Sequence, residues 1–368
     1  MKKNKKAQLA MPFHWIFILI AGALILLFFV TIIFKQKAVS EEKLSAELIS
    51  SIEEIFAGAG AGEEETIHVI DIPKTEFNFV CEEETGVSEY SIKGTGVPRQ
   101  TPTEIMFSPD LVKGKELIIW SLPFRFPFKI TNFLLVSSSD ARYIIYHKDT
   151  EAETNFALDI KSDMPEPLTI NTLTDINQIP DTSNYKIKFI FVGDIDPTAV
   201  NLAILSNKPD KDVSAVKIES DHVIFYEKQV DKFVEQEKGS VIYLPAYNDK
   251  DAMYFAAIFA EDANQFRCNL KKILKRLKLV TEIYKERTER LRKYYENIDP
   301  QGICTAIYPI KGFSGFDDLL IYTEDCLEDL DPLTCYAENF ISSISNPAGT
   351  GIEDRNNVLK EQGCLLIY

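Results

Sequence analysis

The 368-residue chain has no Asn-x-Ser/Thr sequon, so N-glycosylation finds no acceptor in it. It holds only four histidines, His14, His68, His147 and His222, which leaves little of the imidazole on which nucleophilic hydrolases depend. HExxH, GxSxG, the Walker A run and the protein-kinase signatures are all missing, so no catalytic residue and no cofactor is expected. Among the cysteines there is no CxxC or CxxH spacing, which argues against a thiolate zinc site. No acidic residue precedes Glu41, and no charge of either sign occurs from Ala7 to Phe34.

One long hydrophobic run fills that uncharged stretch. Trp15 to Phe34 reads WIFILIAGALILLFFVTIIF, twenty residues that as a helix would span roughly the 30 Å hydrocarbon core of a bilayer. A cleaved secretory peptide has a shorter apolar core, about 7–15 residues, followed by a small-x-small site that Thr31 to Lys37 do not supply. Phe13, His14 and Trp15 suit one interfacial belt, and Lys35 and Lys37 close the other edge. The lipid bilayer is therefore an expected partner, through residues 13–34. Lys2, Lys3, Lys5 and Lys6 outnumber the basic residues just beyond the span, which predicts a cytoplasmic N-terminus and a C-terminal domain outside.

Lys5-Lys6-Ala7-Gln8, followed at once by the apolar helix, resembles the start of archaeal pilin-like proteins, whose leader peptidase cuts before such a Gln. The resemblance covers about thirty residues, and Pro12 stands where those families usually carry an acidic side chain. The whole layout is similar to single-pass archaeal membrane proteins with a large outward domain, a likeness that brings no activity with it. The anchor, the stalk with its Gly/Ala joint and the lack of a catalytic constellation point to a membrane-anchored binding or scaffolding protein; the pilin-like start implies a filament subunit if the leader is removed after Ala7.

Beyond the first thirty-seven residues the chain carries 34 basic against 56 acidic residues, a net of −22. Such a balance disfavours nucleic acid as a partner, because phosphate binding needs basic faces, and suits solubility or cation affinity. Cys81, Cys268, Cys304, Cys326, Cys335 and Cys364 are six in number and all lie in the outward part, so disulfides are expected. Fifteen pairings are open, with five of the six cysteines in the last hundred or so residues.

The fold class expected is α/β, with a mixed α+β arrangement as the alternative, in four stretches. Residues 1–40 form the basic segment and apolar helix; 41–64 a juxtamembrane helix ending in the Gly/Ala linker AGAGAG, read as a flexible joint at 57–62. In 65–182, TIHVIDI, EFNFVCEE and SEYSIKG read as one small antiparallel sheet. ELIIWSL, KITNFLLVSS and ARYIIYH then read as further strands, and 150–183 as a polar crossing. In 183–368, KIKFIFVG reads as a strand buried on both faces, and VSAVKIES, HVIFYEK, SVIYLPA and MYFAAIFA share its texture. Helices are expected at 196–205, around 229–237 and, most clearly, over 262–295, where Leu270, Leu277, Tyr284 and Leu291 recur seven apart.

Two places offer chemistry. Asp194 and Asp196 follow the buried strand, where open α/β sheets meet ligands, and could hold a cation; the competing role is to cap the next helix. The tract Glu324, Asp325, Glu328, Asp329 and Asp331 lacks EF-hand spacing and reads as a solvated acidic face. Its counterpart is the helix from Arg267 to Lys293, with eleven basic residues, expected to pair with acidic faces of its own domain. A cation-dependent surface enzyme, turning over at Asp194 and Asp196, is the alternative to a binding protein.

Overall fold

The computed structural model describes residues 7–72, 75–93, 98–101, 103–179, 183–244, 251–308 and 314–368, with 7–14, 37–46 and 314 by backbone alone. The chain divides into two compact units, Met1–Glu54 and Ile55–Tyr368, the second being the folded body.

Helix α1 runs over Ala7–Ala61. Within it Trp15–Gln36, 22 residues, is long and apolar enough to cross a membrane, and its side chains are exposed. The helix does not break at the expected joint, since Gly58 and Gly60 are helical and only Gly62 ends it. Helical glycine costs about 1 kcal/mol against alanine. Here the last turn is held from outside, because Asn132 Nδ2 donates to the carbonyls of Ala59 (2.5 Å) and Gly62 (2.9 Å), and Ser121 Oγ to Ala59 (2.9 Å). The Lys129 ammonium also bonds Gly62 O, a cation at the negative end of the helix dipole.

The body is mixed α+β, with three sheets and a helical C-terminal region. In chain order the first strands are β1 (Thr66–Asp71), β2 (Glu76–Glu82), β3 (Val87–Ile92), β4 (Arg99–Thr101), β5 (Ile105–Phe107) and β6 (Leu111–Lys113). There follow β7 (Glu116–Arg125), β8 (Lys129–Ser138) and β9 (Ala141–Tyr146). The small sheet has the order β4-β3-β2-β6; β1 leaves it and joins a second sheet, β1-β7-β8-β5. This corrects the expected grouping of the first three strands, for residues 66–71 find their antiparallel partner in Glu116–Ser121 instead.

Residues 150–183 are not a polar crossing. They contain helix α2 (Glu151–Asp163), capped by Thr150, whose Oγ1 accepts from Glu153 N, and strand β10 (Thr169–Leu173). The third sheet takes β10, β9, β11 (Lys186–Val192), β12 (Val213–Ile218), β13 (His222–Gln229) and β14 (Lys232–Ile242), in that order. Its first four strands are parallel and its last two antiparallel. The sheet crosses the expected boundary at 182/183, since β9 lies before that point and pairs with β11 beyond it. Strand β11 is buried at every residue, as its apolar run and parallel neighbours on both sides require.

Three helical expectations shift. Residues 196–205 hold only single 3₁₀ turns at Pro197–Ala199 and Ala203–Leu205, and 229–237 is the hairpin between β13 and β14. MYFAAIFA is helix α3 (Ala252–Phe259), because a short apolar run carries no period that separates a core strand from a core helix. Apolar all round, α3 sits between two sheets: Phe255 and Phe259 meet the Trp120 ring at 4.9 and 5.9 Å, and Phe259 meets Tyr143 at 5.4 Å.

Helix α4 (Ala263–Ile298) matches the expected long helix, with Leu270 and Leu277 fully buried and Tyr284 and Leu291 half-buried. The tail adds α5 (Ile303–Ile307), α6 (Ser314–Glu328), α7 (Ala337–Ile344) and α8 (Ile352–Glu361). The six cysteines close as Cys81–Cys268, Cys304–Cys364 and Cys326–Cys335. The first ties β2 to α4; the second joins two Cys-x-x-x-Tyr runs that are a short helix and an irregular tail, and Tyr308 donates to Leu365 O beside the bridge.

Candidate functional site

Two polar assemblies stand out in the folded body. One is an open cleft of about 530 Å³ formed where the turn from β6 to β7 meets the start of β11. Lys113, Lys115, Glu76 and Asp140 bring two cations and two carboxylates to it, and Tyr185 forms part of the wall. Lys113 Nζ lies 5.3 Å over the Tyr185 ring, and the Tyr185 hydroxyl is 3.4 Å from Ser138 Oγ. Burial pushes that phenol up to about 12, so it stays a neutral hydrogen-bonding group at any physiological pH. Glu76 is held below its ordinary value, first by its 2.6 Å bond from Lys93. A Cβ at Gly114 would stand 3.1 Å from Ser138 Oγ, so the cleft floor is shaped to a residue without one. Asn184 is already committed, accepting from Arg142 Nε at 2.8 Å and donating to Asp140 O at 2.9 Å. The cleft thus offers paired charges for a small polar ligand, and no nucleophile in it stands beside an imidazole.

The second assembly is a buried ionic cluster under β11. Lys186 and Lys188, two apart on one strand face, reach the junction between α3 and α4. Lys186 pairs with Glu261, both side chains about nine-tenths buried. Lys188 Nζ donates to the carbonyls of Ala260 (2.8 Å) and Glu261 (3.2 Å) at the C-terminal end of α3 and lies 5.3 Å over the Phe225 ring. Burial lowers its ammonium to about 8. Asp262 caps α4 by accepting from Gln265 N at 2.8 Å. Gln265 and Asn269 then bond the backbone of the neighbouring segment: Gln265 Oε1 accepts from Ser108 N at 3.1 Å, and Asn269 both accepts from Met106 N (3.2 Å) and donates to Met106 O (2.7 Å). Sequence reading passed over this cluster; its one signal was lysine at alternate positions of the otherwise apolar KIKFIFV.

Asp194 and Asp196 stand at the carboxyl end of β11, as expected, with separate duties. Asp196 accepts from Thr198 N (2.9 Å) and Oγ1 (2.7 Å), capping the 3₁₀ turn, and these bonds hold its carboxyl below the usual range. Asp194 is fully exposed and 3.2 Å from Lys148. Glu153 of α2 joins them at that strand end, where its carboxylate occupies the space a Cβ on Gly193 would need. No group of three metal-ligating side chains occurs among the described residues. His147 lies with Nδ1 2.8 Å from Lys148 O, His222 with Nδ1 2.7 Å from Asp221, and His68 on β1, so the three are scattered. The run Gly312-Phe-Ser314-Gly315, which resembles part of a nucleophile elbow without completing GxSxG, begins outside the described residues, and its Ser314 opens α6.

The basic helix and acidic tract meet as expected. Lys271 pairs with Glu83 (2.6 Å), Lys278 with Glu324 (2.6 Å) and Lys285 with Asp317 (2.5 Å), while Arg267 lies between Glu83 and Asp329. Asp331 accepts from Leu333 N at 2.9 Å and shapes the turn before Cys335.

No family model, curated protein or solved structure matches the chain.

Proposed function

We propose that this is a membrane-anchored extracytoplasmic protein that binds or scaffolds another component, held by the helix within residues 13–34 with its N-terminus in the cytoplasm. The observation that carries the reading is the conjunction of an exposed apolar helix of 22 residues with a body whose six cysteines are all paired. Exposed side chains of that hydropathy favour lipid over water, and disulfides persist in oxidising compartments. The cleft beside Lys113 and Tyr185 is the place offered to a small polar ligand.

Fractionation tests the anchor. The full chain should pellet with membranes and resist a high-pH carbonate wash, and a chain lacking residues 1–40 should stay in solution; a soluble full chain sinks the proposal. Protease added to intact cells should digest the body while sparing the N-terminus, and the reverse pattern would invert the orientation. Mass spectrometry of the native N-terminus separates the filament alternative, which requires a mature chain beginning at Gln8.

A further inference from the structure

Sheet β1-β7-β8-β5 has two edges, and the protein treats them differently. The β5 edge is short and covered, its backbone at Met106 and Ser108 bonded by the side-chain amides of Asn269 and Gln265. Other edges in the body are also blunted: β4 and β6 have three residues each, β10 is half-buried throughout, and β14 carries Lys232, Glu235, Glu237 and Lys238 with an irregular register. Strand β1 has none of these protections. It is six residues long, has β7 as its one strand partner among the described residues, and reads Thr-Ile-His-Val-Ile-Asp without lysine or proline.

Its register shows which backbone groups face outward. Ile72 N donates to Lys115 O at 2.8 Å, so the hydrogen-bonded pairs of the ladder recur at Ile70, His68 and Thr66. The N–H and C=O groups of Ile67, Val69 and Asp71 therefore point away from β7 and have no partner among the described residues. Ile67 and Val69 are 44% and 46% exposed, although the residues paired to them, Trp120 and Ile118, are fully buried. The apolar face of the sheet thus runs out into solvent at an edge that still has amides to share.

We propose that β1 is a docking edge for an extended segment of another protein, with apolar side chains at alternate positions and lysine or arginine at its ends. Strand addition would pair the free amides of Ile67, Val69 and Asp71 and cover the two exposed side chains. Charge selects the partner: the exposed carboxylates of Glu64 and Asp71 flank the edge and have no cationic partner among the described residues, on a chain that is strongly acidic beyond its first helix. In a second copy paired antiparallel about His68, Asp71 would face Glu65 and the adjoining Glu64, so like charges would meet at both ends. The edge supplies the binding role proposed above with a place and a partner chemistry, and its test reads amides of β1 and not the bilayer, so the two can fail separately.

The probe is a short synthetic peptide of alternating valine and threonine with lysine at both ends, added to the full chain in detergent micelles. It should slow hydrogen exchange at Ile67, Val69 and Asp71 several-fold, and the same peptide ending in glutamate should not. Val69→Pro removes one outward N–H without breaking a bond to β7, so it should abolish the protection at Ile67 and Asp71 while leaving the unfolding midpoint in place. Val69→Lys, which keeps every amide but repels a lysine-ended strand, should weaken protection in a salt-dependent way. Equal protection by both peptides, protection by neither, or protection unchanged in both variants overturns the proposal. Protection that appears without peptide and grows with protein concentration assigns the edge to a second copy instead.

Discussion

Lys188 is a cation in the middle of a buried strand, and two carbonyls at the end of α3 are its compensation. Its folded value of about 8 lies below the ordinary 10.5, so between those two pH values the folded chain binds fewer protons at this group than the unfolded chain. Stability from this group therefore rises as pH climbs from 8 to 10.5, by up to about 1.4 kcal/mol per pH unit. Lys188→Met should flatten that rise in urea unfolding curves taken across the window. At pH 7 the same change should cost about 1–3 kcal/mol, since it leaves Ala260 O and Glu261 O without their donor. Asp196 poses a different question. As a cap, its change to Ala should lower the unfolding temperature and Asn should restore most of the loss. If instead it holds a cation with Asp194, calcium or magnesium should raise the unfolding temperature of the native chain and not of either variant.

At the scale of elements, the last turn of α1 shows how tertiary contacts override local preference. AGAGAG has the composition of a joint, and nothing within it announces that Asn132 and Ser121, 70 and 62 residues away from the carbonyls of Gly62 and Ala59, will bond them. Asn132→Leu keeps the branching of the side chain and removes the donors. It should destabilise the body by about 1–3 kcal/mol and quicken amide exchange at Gly62, whose N–H bonds Gly58 O. Strands β7, β8, β9 and β11 were legible because their apolar runs are long and their turns carry Pro, Gly or Ser. Helix α2 was not, because its polar sequence has little apolar stripe; Thr150 and Glu153, spaced as a helix N-terminus, were the available signal.

For the whole molecule, the disulfides set an order of stability. Closing the Cys81–Cys268 loop, with a separation of 187, removes about 5 kcal/mol of chain entropy from the unfolded state, and closing Cys326–Cys335, with a separation of 9, about half as much. The double change Cys81→Ser with Cys268→Ser should therefore lower the denaturant midpoint more than Cys326→Ser with Cys335→Ser. A thiol count on denatured, unreduced protein should find none free, and six free thiols would remove the oxidising compartment from the proposed function.

Composition and periodicity were enough for the apolar helix, the acidic balance beyond it, the buried character of β11 and the heptad stripe of α4, because each is a property of a continuous run of side chains. Which cysteines pair, where β1 finds its partner, that Lys186 and Lys188 lie buried beside Glu261, and that one sheet edge is covered while the other stays open came only with the tertiary structure. Those facts depend on residues far apart in the chain meeting in space, and no local pattern encodes such a meeting.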